Sequence, residues 1–207
     1  MAATGANSTN MVIGVAGKYC AGKNTLAAYL EKSGFLIIDV DAVGHSVVKD
    51  HSADIAQTFG AHILGPDGDV NRRILGKIVF RNPAKLRELE ALTHPLMVAK
   101  IESMLGTTKK QKKQQLVAIN AAILFRMGLQ RLCDLVICVS APFFVRLVRA
   151  LARDSLSLLE VMRRLLSQRG ICLKLNAEAV DIYFVRNFGN QKKMKNNVQK
   201  ILGAKGI

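Results

Sequence analysis

The stretch Met11–Thr25 reads MVIGVAGKYCAGKNT, and it decides the fold class because it joins an apolar run to a glycine-bounded loop. The run Val12–Ala16 is short, apolar and β-rich, which is typical of a buried strand. Good helix formers follow the loop, among them Leu26, Ala27 and Leu30. A strand that passes through such a loop into a helix predicts an α/β protein.

Gly17 and Gly22 bound the loop, and Lys23 follows at once. At this spacing a loop can wrap its backbone N–H groups around phosphate oxygens, and the lysine supplies a cation for the terminal phosphates. Asn24 stands where a Ser or Thr hydroxyl normally coordinates magnesium, and Thr25 comes one place late. We predict a nucleotide-binding loop, called the phosphate loop below (residues 17–25). A glycine-rich turn that binds nothing is the alternative.

Cys20 lies within this loop, close to the start of the predicted helix. A thiol at a helix N-terminus can have a lowered pKa and oxidise easily. The interpretation that we adopt is simpler: a small residue fills the loop.

The rest of the chain alternates apolar runs with helical periodicity, which predicts a mostly parallel sheet covered by helices. Between the second and third strands, residues 42–105 predict several helices, punctuated by LGPDGD, Pro83 and Pro95. This region is too long for a simple crossover, so we interpret it as an insertion that carries a second substrate. The further candidate strands are Phe35–Asp39, Leu116–Asn120, Leu135–Val139 and Tyr183–Val185.

Asp39 and Asp41 come at the end of the second candidate strand, at the sheet edge where open α/β sheets bind ligands. If the strand continued, alternation would point both side chains the same way. Two carboxylates near a nucleotide can hold a magnesium shell or accept a hydroxyl proton. The alternative for Asp41 is a helix N-cap, where Asp is favoured.

Composition limits the class of partner. The 207 residues carry a net charge of +15, which favours anionic partners without choosing among them. No apolar run approaches the roughly 18 residues of a membrane span, and residues 1–10 lack the features of a signal peptide. The four cysteines form no CxxC pair. We therefore expect a soluble cytoplasmic protein with reduced thiols, no membrane partner, and a monomeric or weakly homo-oligomeric state.

Six further motifs follow the phosphate loop and the Asp39–Asp41 pair along the chain. They are FGAHILGPDGDVNRRILGKIVFRNP (59–83), LEALTHPLM (89–97), AILFRMGL (122–129), RALARD (149–154), RLLSQ (164–168) and VRNFGN (185–190). In content and order they resemble the motifs of the dephospho-CoA kinase family, and the likeness runs from Val12 to Asn190. Arg126 departs from the pattern, because the family has glutamate there; either a compensating acid lies close by or that carboxylate is dispensable.

The resemblance implies a P-loop kinase with a three-layer α/β/α core. Such an enzyme transfers the γ-phosphoryl group of ATP to the ribose 3′-hydroxyl of dephospho-CoA, the last step of coenzyme A biosynthesis. Lys23 would bridge the β- and γ-phosphates, while Asn24 or water would hold Mg²⁺ and Asp39 would position it through water. The predicted ATP-binding residues are Gly17, Lys18, Tyr19, Cys20, Ala21, Gly22, Lys23, Asn24, Thr25 and Asn187.

The catalytic roles also follow from the resemblance. Asp41 would accept or orient the proton of the ribose hydroxyl. Arg149 and Arg153 would close over ATP as lid arginines and spread the transition-state charge; a solvated helix face is the alternative for each. The predicted substrate-binding residues are Asp39, Arg72, Arg73 and His94, and for His94 a capped or core histidine remains open.

The predicted organisation has four parts. They are a flexible tail (1–10), a nucleotide-binding core (11–41, 116–145 and 170–207), a helical insertion on the CoA side (42–115) and a helical lid (146–169).

Two further functional hypotheses stay open. Asn24 and Arg126 are compatible with a protein that binds nucleotide with weak or no kinase turnover. The net charge of +15 is compatible with an RNA-binding protein. Against RNA, aromatic residues are only 5% of the chain and Trp is absent, so stacking platforms are scarce. We therefore expect no nucleic-acid partner.

Overall fold

The computed structural model describes residues 11–109, 115–154, 156–167 and 180–206. The predicted tail and most of the basic run KKQKK lie outside these ranges. The elements are β1 (Met11–Gly17), α1 (Lys23–Lys32), β2 (Leu36–Asp39), α2 (Val40–Asp50), α3 (Ser52–Phe59), α4 (Arg72–Val79), α5 (Pro83–Lys109), β3 (Leu116–Asn120), β4 (Leu135–Ser140), α6 (Phe143–Arg153), α7 (Leu158–Ser167), β5 (Asp181–Arg186) and α8 (Gln191–Ala204).

All five predicted strands are present, and they form one sheet with the order β2-β3-β1-β4-β5. β1 pairs in parallel with both β3 and β4, and β4 pairs in parallel with β5. Parallel strands need long crossovers, which the helices supply. The prediction of an α/β fold with a parallel sheet is confirmed.

The sheet is buried because its central strands are apolar on both faces. Gly14 of β1 has no room for a side chain, since an added Cβ would meet Leu124 and Val136 at 2.9 Å. On the opposite face, sheet residues pack with α1 and α8. The main members of that cluster are Ile13, Val15, Leu26, Leu30, Leu135, Ile137, Val139, Val185, Met194, Val198 and Leu202.

The register of the strands aligns their carboxyl ends. Gly17 pairs with Val139, and Ser140 pairs with Arg186. The segments that follow β1, β4 and β5 therefore leave the sheet at one edge, which is the ligand-binding edge of open α/β sheets.

The chain divides into two compact units. The first contains the residues up to Ile38 and from Thr108 onward, and the second contains Asp39–Thr107. The second unit is helical (α2 to α5) and has its own apolar core. That core includes Ile55, Phe59, Ile63, Val70, Leu75 and Val79.

Pro95 does not interrupt the helical region, although the sequence predicted a break there. Pro83 does separate two helices, since α4 ends at Val79 and α5 begins at Pro83, but α5 continues through Pro95 to Lys109. Proline inside a helix costs about 3 kcal/mol. Thr93, Met97 and Ile101 are all buried at four-residue spacing, so one buried stripe continues across the proline and packing outweighs the local cost.

Among the described helices, none combines the length and the apolar character of a membrane span.

Candidate active site

The phosphate loop depends on two glycines for its shape. Gly17 has φ +155°, and an added Cβ would collide with the carbonyl oxygen of Val139. Gly22 has φ +108°, and its Cβ would collide with Nδ2 of Asn187. Both positions therefore require glycine, because a side chain would be strained by the backbone and blocked by a neighbour.

The loop ends at the N-terminus of α1. Gly22 is the N-cap residue, no side chain of the described residues caps this end, and no acid lies in the first turn. The first N–H groups of a helix have no partner within it and carry partial positive charge. With Lys23 as the first helical residue, this end of α1 can bind phosphate oxygens.

Arg149 on α6 and Asn187, which directly follows β5, hold the loop. Asn187 is only 3% exposed, and its Nδ2 donates to the carbonyl oxygen of Ala21 at 3.0 Å. Arg149 donates through Nη1 to the Ala21 carbonyl at 3.4 Å and through Nη2 to the Asn187 side-chain oxygen at 3.2 Å. The backbone N–H of Asn187 donates to Ser140 at 2.7 Å. The Ala21 carbonyl is thus occupied by two side-chain donors, while the Ala21 N–H donates within the loop to the Lys18 carbonyl at 3.0 Å.

A cavity of about 670 Å³ opens at the loop, a volume in the usual range for a small-molecule site. Gly17, Lys18, Tyr19 and Ala21 belong to the loop but do not line the cavity. Three lining residues were not predicted: Ala152, Gly189 and Gln191. The predicted residues that line it are Cys20, Gly22, Lys23, Asn24, Thr25, Arg149, Arg153 and Asn187.

Arg153 lies at this cavity in a defined orientation. Its Nε donates to Oδ1 of Asp154 at 2.8 Å, and its Nη2 donates to Oδ2 at 3.1 Å. The Tyr19 hydroxyl donates to the same carboxylate. The Arg153 guanidinium and then the Tyr19 hydroxyl lower the pKa of Asp154 to about 2. Sequence reasoning missed Asp154. The only hint in the sequence was that it directly follows Arg153.

Asn24, the predicted metal ligand, lies exposed at the cavity. Its Oδ1 accepts a hydrogen bond from Nδ2 of Asn120 at 3.3 Å. Asn120 ends β3 and is 7% exposed, and its own Oδ1 has no hydrogen-bond partner among the described residues. Sequence reasoning missed Asn120, since a strand end carries no sign of which loop residue it meets.

The oxygen atoms at the cavity are suitable ligands for a magnesium ion that is bound mainly by the phosphates of a nucleotide. In the described ranges, no three His, Cys, Asp or Glu side chains cluster as a metal site. Asn24 Oδ1 keeps one lone pair after the bond from Asn120. Because Mg²⁺ retains several waters and binds substrate phosphates with few protein ligands, one amide oxygen is compatible with it.

Burial raises the pKa of the Cys20 thiol, and the Arg153 charge offsets only part of that effect. A raised pKa favours the neutral thiol over the reactive thiolate. The structure therefore favours the interpretation of Cys20 as a small residue that fills the loop.

Asp39 and Asp41 belong to the second unit. β2 ends at Asp39 and α2 begins at Val40, so the strand does not continue through the pair. Asp39 is the N-cap of α2, and its Oδ1 accepts from the N–H of Asp41 at 3.0 Å. The alternative that Asp41 is the cap is therefore wrong, because the cap oxygen comes from Asp39. Asp41 is exposed in the first turn of α2.

The other predicted substrate residues also lie in the second unit. His94 is half-buried in α5, directly before Pro95. Arg72 and Arg73 are exposed in the first turn of α4. Arg72 lines a cavity of about 520 Å³, which Arg73 and His94 do not line. The remaining lining residues are His45, Ser46, Val48, Lys49, Asp67, Asp69 and Val70.

Comparison with known proteins agrees with a phosphate-binding site in this cavity. A family model described as dephospho-CoA kinase matches residues 11–183. The chain belongs to the dephospho-CoA kinase family. A dephospho-CoA kinase of Moorella thermoacetica is 36% identical over 160 residues, which are 76% of this chain and 76% of that protein.

Solved structures agree in fold. A crystal structure from Thermus thermophilus superimposes with a TM-score of 0.77 at 26% identity, covering 95% of this chain and 98% of that one. The dephospho-CoA kinase from Campylobacter jejuni gives a TM-score of 0.66 at 27% identity, covering 92% and 96%. The predictions of the family and of a phosphotransferase enzyme are confirmed.

Arg126, which departs from the family pattern, is exposed in the turn between β3 and β4. The structure thus places the reversed charge at an exposed position.

Proposed function

We propose that this protein transfers the γ-phosphoryl group of ATP to the ribose 3′-hydroxyl of dephospho-CoA. Phosphorylation of dephospho-CoA in coenzyme A biosynthesis is the activity of its family. The observation that carries the proposal is the phosphate loop at the N-terminus of α1, which lines one cavity with Arg149 and Arg153. Phosphoryl transfer needs positioning and neutralisation of charge more than covalent help, and this cavity offers both.

Lys23 and the loop N–H groups bind the nucleotide phosphates. Lys23 lines the cavity as the first residue of α1, so its ammonium can bridge the β- and γ-phosphates. The N–H groups of the first helical turn take other oxygens, and Thr25 contacts a phosphate.

Magnesium, when bound with ATP, neutralises charge on the phosphate oxygens. Asn24 would hold it through its side-chain oxygen, and Asp39 would position it through water. Asn120 supports the Asn24 amide by a hydrogen bond at 3.3 Å.

Arg149 and Arg153 have different roles at the cavity. Arg149 holds the loop by donating to its carbonyls, and it also faces the cavity. Arg153 has bonds to Asp154 from Nε and Nη2, and it spreads the charge that develops on the transferred group.

Residues of the second unit bind and activate the acceptor, dephospho-CoA. Asp41 is the general base, and its exposure leaves the carboxylate open to a substrate hydroxyl. Asp39 and His94 orient the ribose, and Arg72 or Arg73 binds a phosphate of dephospho-CoA. We further propose that the protein acts in the cytoplasm as a monomer or weak homo-oligomer, without a nucleic-acid or membrane partner.

One incubation tests the proposal. The protein is mixed with ATP, magnesium and dephospho-CoA, and the products are identified by mass. Formation of coenzyme A and ADP supports the kinase. Binding of ATP without product would instead identify a nucleotide-binding protein without turnover, the hypothesis that Asn24 and Arg126 motivate.

A further inference from the structure

We propose that Tyr19 is a positioning residue for Arg153. Its side chain, which belongs to the phosphate loop, fixes the orientation of the Arg153 guanidinium through Asp154 and through its own ring. The inference rests on the proposed function, because it assigns Arg153 to the nucleotide phosphates. It adds a role for a loop side chain that does not line the cavity.

The first observation is the hydrogen-bonded chain from the loop to the arginine. The Tyr19 hydroxyl donates to Oδ2 of Asp154. That carboxylate accepts from Arg153 through Nε at 2.8 Å and through Nη2 at 3.1 Å. Two contacts between planar groups fix the orientation of a guanidinium as well as its distance.

The second observation is the tyrosine ring, which lies against two arginines. The guanidinium carbon of Arg153 is 5.3 Å from the ring centroid, and that of Arg164 is 6.0 Å away. Cations within about 6 Å of a ring face are attracted to it. The ring and the hydroxyl of Tyr19 therefore constrain Arg153 by separate interactions.

Tyr19 is itself well anchored. It packs against the apolar cluster of Ala150, Val161 and Leu165, which joins α6 to α7. The next residue, Cys20, has φ +56° and belongs to the loop that Arg149 and Asn187 hold. A displacement of the loop would consequently displace Arg153.

The arginine keeps donors for a ligand. A guanidinium has five N–H groups, and two of them serve Asp154, so about three remain. The side chain is 56% exposed and lines the cavity, which leaves those donors open to an anion. The protonation states agree with the geometry: the pKa of Asp154 falls to about 2, and burial raises the pKa of Tyr19, so the phenol stays a donor.

Tyr19→Phe is the decisive variant, because it keeps the ring and removes the hydroxyl. We expect kcat to fall about 10-fold, well within the cost of a misplaced catalytic group, while KM for ATP rises by no more than about threefold. Asp154→Asn should give a similar loss. The matched control is Tyr29→Phe, whose ring lies 5.6 Å from Lys195 and does not line the cavity; its kcat should equal that of the wild type.

A double-mutant cycle separates positioning from packing. In an Arg153→Ala background, Tyr19→Phe should cause no further loss of kcat, since the residue that it positions is absent. A Tyr19→Phe effect of equal size in both backgrounds would overturn the proposal and indicate a packing role.

A binding readout keeps the test independent of turnover. Calorimetry measures the affinity for ADP and for a non-hydrolysable ATP analogue. Tyr19→Phe and Arg153→Ala should both reduce the preference for the analogue by about threefold, and Tyr29→Phe should not. If the wild type makes no coenzyme A, the proposed function fails while this preference still tests Tyr19. An unchanged preference in Tyr19→Phe overturns the inference.

Discussion

The phosphate loop and the second unit differ in the kind of atom that they offer a ligand. The loop offers backbone N–H groups, and its shape rests on Gly17 and Gly22. The second unit offers exposed side chains, such as Asp41 on α2 and Arg72 on α4. A site built from backbone is encoded in contiguous residues, whereas a site built from side chains depends on where separate helices lie. The comparison predicts that a side chain added at a loop glycine disrupts nucleotide binding and that changes in the second unit spare it.

The largest combined loss of ATP affinity and turnover is expected for Gly22→Ala. The added Cβ collides with Asn187 Nδ2 and sits at φ +108°, so the loop must move. Turnover should fall by at least about 100-fold, and ATP affinity should fall with it. Steady-state kinetics and calorimetry measure the two quantities.

Gly34→Ala is the control for backbone strain. Its φ is +93°, and no described atom lies within 4 Å of an added Cβ. It should lose about 1 kcal/mol of stability and keep its ATP affinity. Equal loss of affinity in both variants would contradict the steric argument.

Asp41→Asn tests the other side of the comparison. Removing a general base should lower kcat by about 10²- to 10⁴-fold, while ATP affinity stays nearly intact. Asp54→Asn, an exposed carboxylate on α3, should change neither. If Asp41→Asn weakened ATP binding as much as it slowed turnover, Asp41 would not be the base.

Substitutions of Asn24 test the proposal that this side chain holds magnesium. Asn24→Ala should raise the magnesium concentration for half-maximal rate by about 10-fold, the size of effect seen when a metal loses supporting contacts. Asn24→Ser, which restores an oxygen, should bring the value back toward that of the wild type. An unaltered magnesium dependence in the alanine variant would show that Asn24 is no ligand.

The smallest effect concerns acid stability. The pKa of Asp154 is lowered from 3.8 to about 2, first by the Arg153 hydrogen bonds and then by Tyr19. A lowered pKa means that the ionised carboxylate stabilises the fold; this contribution is complete above about pH 4 and is lost as the pH falls toward 2. Thermal unfolding of Asp154→Asn should differ from that of the wild type at pH 5 and converge with it at pH 2. A constant difference would contradict the ion pair.

The limits of sequence reasoning are clearest where two distant residues meet. Asn24 bonds Asn120, which is 96 positions away, and Tyr19 bonds Asp154, 135 positions away. Neither contact produces a periodic pattern or a characteristic spacing in the sequence. The prediction of a helix break at Pro95 was wrong for a related reason. Proline disfavours a helix locally, but tertiary packing keeps α5 continuous through this residue.

By itself, the sequence determined the strand-loop-helix unit at residues 11–32, the five strands of the parallel sheet and, through the order of its motifs, the family. The strands, the loop and the helix are local features, because glycine at a positive φ, apolar periodicity and helix formers act within a few residues of one another. The family follows from the order of local motifs along the chain. Only the tertiary structure decided that Asn187 and Arg149 hold the loop and that Tyr19 orients Arg153. These contacts arise when the sheet brings the ends of separate strands to one edge, so their partners are selected by distance in space rather than along the chain.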